Sequence, residues 1–94
     1  MAGYWVVRGS AIKDEAAANE YVSLWMPIGQ RYGAEVIAGK GAIDIREGVN
    51  FPRQLVIRFL SFDEAVKCYE DPEYEKAMEF ARLAFDRELS ILEG

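Results

Sequence analysis

Apolar residues recur along this chain with two different periods, and the switches between them mark the elements. "YWVVRG", residues 4–9, is a short run rich in β-branched and aromatic residues closed by Gly9-Ser10, which predicts a first strand. Ala17, Tyr21, Leu24, Trp25, Ile28 and Tyr32 then recur at helical spacing between an N-cap at Asp14 and a C′ stop at Gly33. Pro27 falls inside that helix, where it removes one backbone bond at a cost of about 3 kcal/mol unless the helix kinks, so a kink is expected there. "AEVIAGKGAIDIREG", residues 34–48, alternates in two stretches around "GKG" and reads as one long strand with a bulge or bend at the glycines. "QLVIRF", residues 54–59, is a third strand. "SFDE", residues 61–64, has the form of a capping box and opens a helix reaching Glu70. Asp71-Pro72 restarts the helix with Asp71 as N-cap and Pro72 at N1. "RELSILEG" closes the chain as a fourth strand.

The order β-α-β-β-α-β predicts an α+β, ferredoxin-like fold: a four-stranded antiparallel sheet with the helices on one face, in a single domain spanning residues 1–94. One strand register collects Trp5, Val7, Ala34, Val36, Ala38, Leu55, Ile57, Phe59, Leu89 and Ile91 and is uniformly apolar, so it faces the helices. The other mixes Val6, Ile37, Val56 and Leu92 with Arg8, Arg58, Glu35, Asp44 and Glu88. Left bare, it would be an apolar patch of a size monomers seldom expose. Its charges are of both signs, so a second copy laid across it is the expected partner, giving a homodimer. A domain of 94 residues has a small core and gains from such pairing.

Composition narrows the function by exclusion. Eleven basic against sixteen acidic residues leave a net charge of −5, and no basic patch gathers for nucleic acid. No apolar run approaches the length of a membrane span, and "MAGYWVVRGS" lacks the features of a signal peptide, so a cytoplasmic location is expected. The one cysteine, Cys68, reads as a buried apolar group. There is no histidine, which removes histidine-based triads and metal sites; the carboxylates are dispersed, so neither a metal nor a cofactor is expected.

The densest chemistry is "YEDPEYEKAMEFAR", residues 69–82. Helical spacing sends Glu70, Glu73, Glu75 and Glu79 mostly outward as a solvated face, and Asp71 serves as a cap. Tyr69 and Tyr74 flank the helix break with hydroxyls that need partners if buried. Arg82, two turns beyond Tyr74, could fix a carboxylate or enolate through paired hydrogen bonds. Trp25, beside Pro27, would wall a cleft. These four, Trp25, Tyr69, Tyr74 and Arg82, are the candidate ligand-binding residues.

"GYWVV", "RYGAEVIAGKG", "VIRFLSFDEAVKCYEDPEYEKA", Arg82 and the terminal "LEG" together resemble the family known as domain of unknown function 1330. The likeness runs in order along nearly the whole chain, and the block ending in "CYEDPEY" is its specific part. It departs at the end of the third strand, where Leu60 stands for the proline and Arg58 for the acidic residue common there. The resemblance implies a dimeric α+β barrel built on the ferredoxin-like unit and implies no substrate. Proteins of that superfamily include cofactor-free monooxygenases, cyclases and lyases as well as ligand-binding domains. Two expectations follow. One is a small dimer that binds an apolar carboxylate or carbonyl compound without chemistry, favoured by the lack of histidine. The alternative is a cofactor-free enzyme using tyrosine and arginine in a helix–sheet cleft.

Overall fold

The computed structural model describes residues 1–94. Strands β1 (Gly3–Gly9), β2 (Glu35–Ala38), β3 (Arg53–Phe59) and β4 (Arg87–Glu93) form one antiparallel sheet in the order β2-β3-β1-β4. Helices α1 (Glu15–Arg31), α2 (Phe62–Glu70) and α3 (Pro72–Ala84) complete the predicted ferredoxin-like order, the second helix being split in two at Asp71.

Caps set the helix boundaries where the sequence places them. The Asp14 carboxylate accepts from the Ala17 amide at 3.0 Å, and the Ser61 hydroxyl accepts from the Glu64 amide at 3.1 Å. Asp71 ends α2, opens α3 by accepting from the Glu73 amide at 2.8 Å, and also receives the Tyr32 hydroxyl at 2.7 Å and Arg31 at 3.0 Å. One carboxylate thus ties α1 to the α2–α3 break. The Tyr32, Glu73 and Arg31 groups around it hold its pKa below the ordinary carboxylate value.

The second strand departs from expectation. The long second strand is only four residues, Glu35–Ala38, and residues 39–52 leave the sheet. The register of β2 on β3 shifts between Val36 and Ala38, so Ala38 lies opposite Val56 and joins the outer face rather than the helix face. Gly39 then turns the chain away at φ +114°, where an added Cβ would collide with the Gln54 carbonyl. Alternation in the sequence past that point is therefore not strand alternation. Helix α1 for its part continues through Pro27, which lies on its exposed side, where the Ser23 carbonyl left without a donor can be hydrated.

The core sits between the sheet and the helices, and its centre is aromatic. Trp5 is 1% exposed, its ring within 5.1–5.8 Å of the Trp25, Phe59, Tyr69 and Tyr74 centroids. Its indole N–H donates to the Ala65 carbonyl at 3.0 Å, which pins α2 to β1. Alanines at Ala65, Ala77, Ala81 and Ala84 let the helices approach closely enough for these rings to interlock. Cys68 is buried among them as a free thiol, its pKa pushed up to about 12 chiefly by burial.

Candidate functional site

A cleft of about 390 Å³ opens between α1, the β1–β3 part of the sheet and the segment that leaves β2. Its floor is Trp5, Leu55 and Ile57; Tyr21 and Trp25, one helical turn apart on α1, form one wall, and Ile43 closes over from the far side. The volume falls within the range usual for small-molecule sites. Gly39 and Gly41 line the mouth, so the backbone that abandons the strand there is also what shapes the opening.

The charge in this cleft is one-sided. Among its lining residues are two arginines, Arg53 and Arg87, and no aspartate or glutamate, in a chain whose net charge is −5. The antiparallel register explains their meeting: Gly9, the last residue of the inner strand β1, pairs with Arg53 on β3 and with Arg87 on β4. A Cβ on Gly9 would lie 3.3 Å from the Arg87 Cβ, so glycine keeps the space between the two side chains clear. Neither arginine has a carboxylate within salt-bridge distance; those bonds go instead to Arg8, Lys13, Arg31, Arg46 and Lys67. Arg53 lies over the Phe85 ring at 5.1 Å.

Arg87 is held by phenols. Its Nη1 donates to the Tyr21 hydroxyl at 3.2 Å, and Nη2 donates to the Tyr74 hydroxyl at 2.8 Å and to the Met78 sulfur at 3.3 Å. The guanidinium carbon also stands 5.1 Å from the Tyr21 ring centroid. The two tyrosine hydroxyls are themselves 2.8 Å apart. Burial works to lower the Arg87 pKa, but the Tyr21 and Tyr74 phenols around it more than offset this, and it stays protonated. Burial pushes the Tyr74 phenol far up, so it stays neutral. A half-buried cation with no carboxylate among its partners keeps most of its positive field unopposed, and that field falls on the cleft.

Of the four residues singled out from the sequence, three meet in the aromatic core, the Tyr74 ring lying 5.8 Å from that of Trp25 and 5.5 Å from that of Tyr69, but they border different hollows. Trp25 walls the cleft, and Tyr74 lies fully buried beneath it with its hydroxyl engaged by Tyr21 and Arg87. Tyr69 and Arg82 lie on the other side of α3, sharing a groove of about 550 Å³ with Glu70, Glu75, Met78 and Glu79. Arg82 is exposed and makes no salt bridge. Three carboxylates in that groove oppose an anion there. A smaller hollow of 240 Å³, bordered by Tyr69, Arg82 and Arg87, adjoins it. Tyr21, Arg53 and Arg87 were not among the sequence candidates. Tyr21 was legible only as an apolar-face residue, and the arginines meet only through the pairing of both strands with Gly9.

No group of histidine, cysteine or acidic residues is arranged to hold a metal ion, and no helix is long and apolar enough to cross a membrane.

Solved structures share this architecture at low identity. A protein of unknown function from Rhodopseudomonas palustris is 18% identical, with a TM-score of 0.71 over 99% of this chain and 82% of that one. A dimeric ferredoxin-like protein of unknown function from Bacteroides fragilis is 12% identical, with a TM-score of 0.59 over 99% and 96%. A putative antibiotic biosynthesis monooxygenase from Nitrosomonas europaea is 17% identical, with a TM-score of 0.58 over 99% and 89%. At such identities the likeness is one of fold. No curated protein matches in sequence. The family model described as Domain of unknown function (DUF1330) matches residues 2–94, and the chain belongs to that family.

Proposed function

We propose that this protein is a homodimer that binds a small apolar carboxylate in the cleft between α1 and the sheet, without acting on it chemically. The observation that carries the reading is the pair of arginines on either side of Gly9, both without a carboxylate partner and both lining an apolar cleft that contains no acid. Arg87, half-buried and left without an anion, carries a desolvation cost that Arg53, exposed at the cleft, does not. A ligand carboxylate would meet both with charge-assisted hydrogen bonds, while Trp25, Ile43 and Leu55 cover the ligand's apolar body. Chemistry would further require a base, and no residue lining the cleft can act as one near neutral pH.

The dimer reading rests on the outer sheet face. Ile37 and Leu92 are 47% and 52% exposed, and half-buried Tyr4, Val6 and Val56 lie between them. Arg8 there pairs with Glu88 at 3.0 Å, and Arg58 lies opposite Glu35 in the register. Covering this face with a second copy buries the patch, and the fold is shared with a protein described as dimeric.

Benzoate tests the ligand reading. It should raise the melting temperature of the wild type, and Arg53→Gln should weaken binding by tenfold or more, since a hydrogen bond to a charged group is worth about 1.5–3 kcal/mol. Arg82→Ala should bind as the wild type does. Benzoate that stabilises wild type and Arg53→Gln equally, or that is lost in Arg82→Ala, would overturn the assignment. Light scattering at micromolar concentration should give twice the chain mass, and a monomer would refute the dimer.

A further inference from the structure

The hydrogen-bond inventory beneath the cleft does not balance within the protein. Tyr21 and Tyr74 carry two hydroxyl protons, but only one can lie on the 2.8 Å line between their oxygens. Arg87 occupies an acceptor position on each oxygen and accepts nothing itself. Tyr74 is fully buried, and its hydroxyl meets only Tyr21 and Arg87. If Tyr21 supplied the shared proton, the Tyr74 proton would be buried without an acceptor, an arrangement native proteins avoid. The shared proton therefore belongs to Tyr74. Tyr21 then accepts from both Tyr74 and Arg87, and its own proton is the one left over, on a residue that lines the cleft.

Resting on the ligand reading above, we propose that Tyr21 is the hydrogen-bond donor of the cleft, and that the site selects the ionised form of a weak oxygen acid, a phenolate or enolate as well as a carboxylate. With its lone pairs occupied, Tyr21 can only donate, so the group it meets must be an acceptor. Two accepted bonds, one from a cation, polarise its O–H toward that group. Every element packed around the position agrees in sign. Tyr21 comes from α1, Arg53 from β3, Tyr74 from α3 and Arg87 from β4, while the segment after β2 contributes Gly39, Gly41, Ile43 and Pro52, none of which titrates. A neutral phenol or enol would bring its own proton against Tyr21, Arg53 and Arg87, which present donors to it. The ionised form brings only acceptors. The cleft takes no proton from the ligand; it draws the anion out of the equilibrium in solution.

The probe is 4-nitrophenol, whose ionised form is read directly by absorbance. Saturation with wild-type protein should lower its apparent pKa by at least about one unit, equivalent to tenfold tighter binding of the anion. Tyr21→Phe should lose most of that shift, and Tyr74→Phe should lose less because Tyr21 keeps its proton. A bound probe with an unchanged or raised pKa would overturn the proposal, as would a Tyr74→Phe loss equal to or larger than that of Tyr21→Phe. If Tyr21→Phe does not fold, the wild-type pKa alone decides. Benzoate binding without any nitrophenol binding would refute this inference and leave the carboxylate site standing. Failure of both probes would remove the cleft reading as well.

Discussion

Replacing Trp5 by phenylalanine measures how much of the domain depends on one side chain. Trp5 is 1% exposed, touches four other aromatic rings, and donates its indole N–H to the Ala65 carbonyl. The substitution removes about two buried ring carbons, worth roughly 1.5 kcal/mol at about 0.8 kcal/mol per buried carbon group. It also removes a hydrogen bond worth about 1 kcal/mol net. The Ala65 carbonyl lies within α2 and keeps the helical position for an amide donor, so the larger penalty for an orphaned acceptor does not apply. A weakened aromatic contact adds about 0.5 kcal/mol. The sum is about 3 kcal/mol, a large part of the roughly 5–14 kcal/mol expected for a domain of this length. Urea unfolding followed by far-ultraviolet circular dichroism, at one fixed protein concentration because the stability of the proposed dimer would depend on it, gives the measurement. Trp25→Phe is the control: half-buried and without an indole hydrogen bond, it should cost clearly less. A loss below about 1 kcal/mol for Trp5→Phe at unchanged slope, or equal losses at the two tryptophans, would refute the view that the core is organised around Trp5.

Gly39→Ala should destabilise the fold by about 1–3 kcal/mol, because φ there is +114° and the new Cβ meets the Gln54 carbonyl; an unchanged thermal midpoint would contradict the turn described. Cys68, with its thiol pKa pushed up to about 12 by burial, should resist Ellman's reagent in the native protein at pH 8 and react once urea unfolds the chain. Fast native labelling would show that the α2 core opens. Asp71 has a folded pKa below its unfolded value through Tyr32, Glu73 and Arg31, so its contribution is present above about pH 4 and is lost as pH falls through the folded value. The melting temperature of Asp71→Asn should therefore depend less steeply on acid than that of the wild type, and parallel curves would argue against the carboxylate's role.

The layout of the domain was legible because it rests on short-range rules. Asp14, Ser61 and Asp71 each serve an amide two or three residues ahead, and Pro72 is favoured at a helix start, so the helix boundaries are written locally. The apolar register through Trp5, Val7, Ile57 and Phe59 told which sheet face meets the helices. The second strand misled because residues 42–46 alternate without a partner strand. What ends β2 is a turn at Gly39, at φ +114° and so close to the Gln54 carbonyl, fifteen positions away in the chain, that a side chain would not fit; no window along the chain records that approach.

The site divides in the same way. Trp25 and Tyr74 stood out as large aromatic residues next to a proline and a helix break, and both proved to border or underlie the cleft. Arg82 stood out by its distance along one helix from Tyr74, yet a helix separates faces as well as joining turns, and the hydroxyl of Tyr74 is directed instead to Tyr21 and Arg87. Amino-acid order alone determined the elements, the apolar layer and the supply of aromatic and cationic groups, because each depends on neighbours within a few residues. Only the tertiary structure decided that Arg53 and Arg87, 34 positions apart in the chain, would flank the same glycine without an acid between them. Antiparallel register is set by the packing of whole strands, and it converts three unremarkable positions into one candidate site.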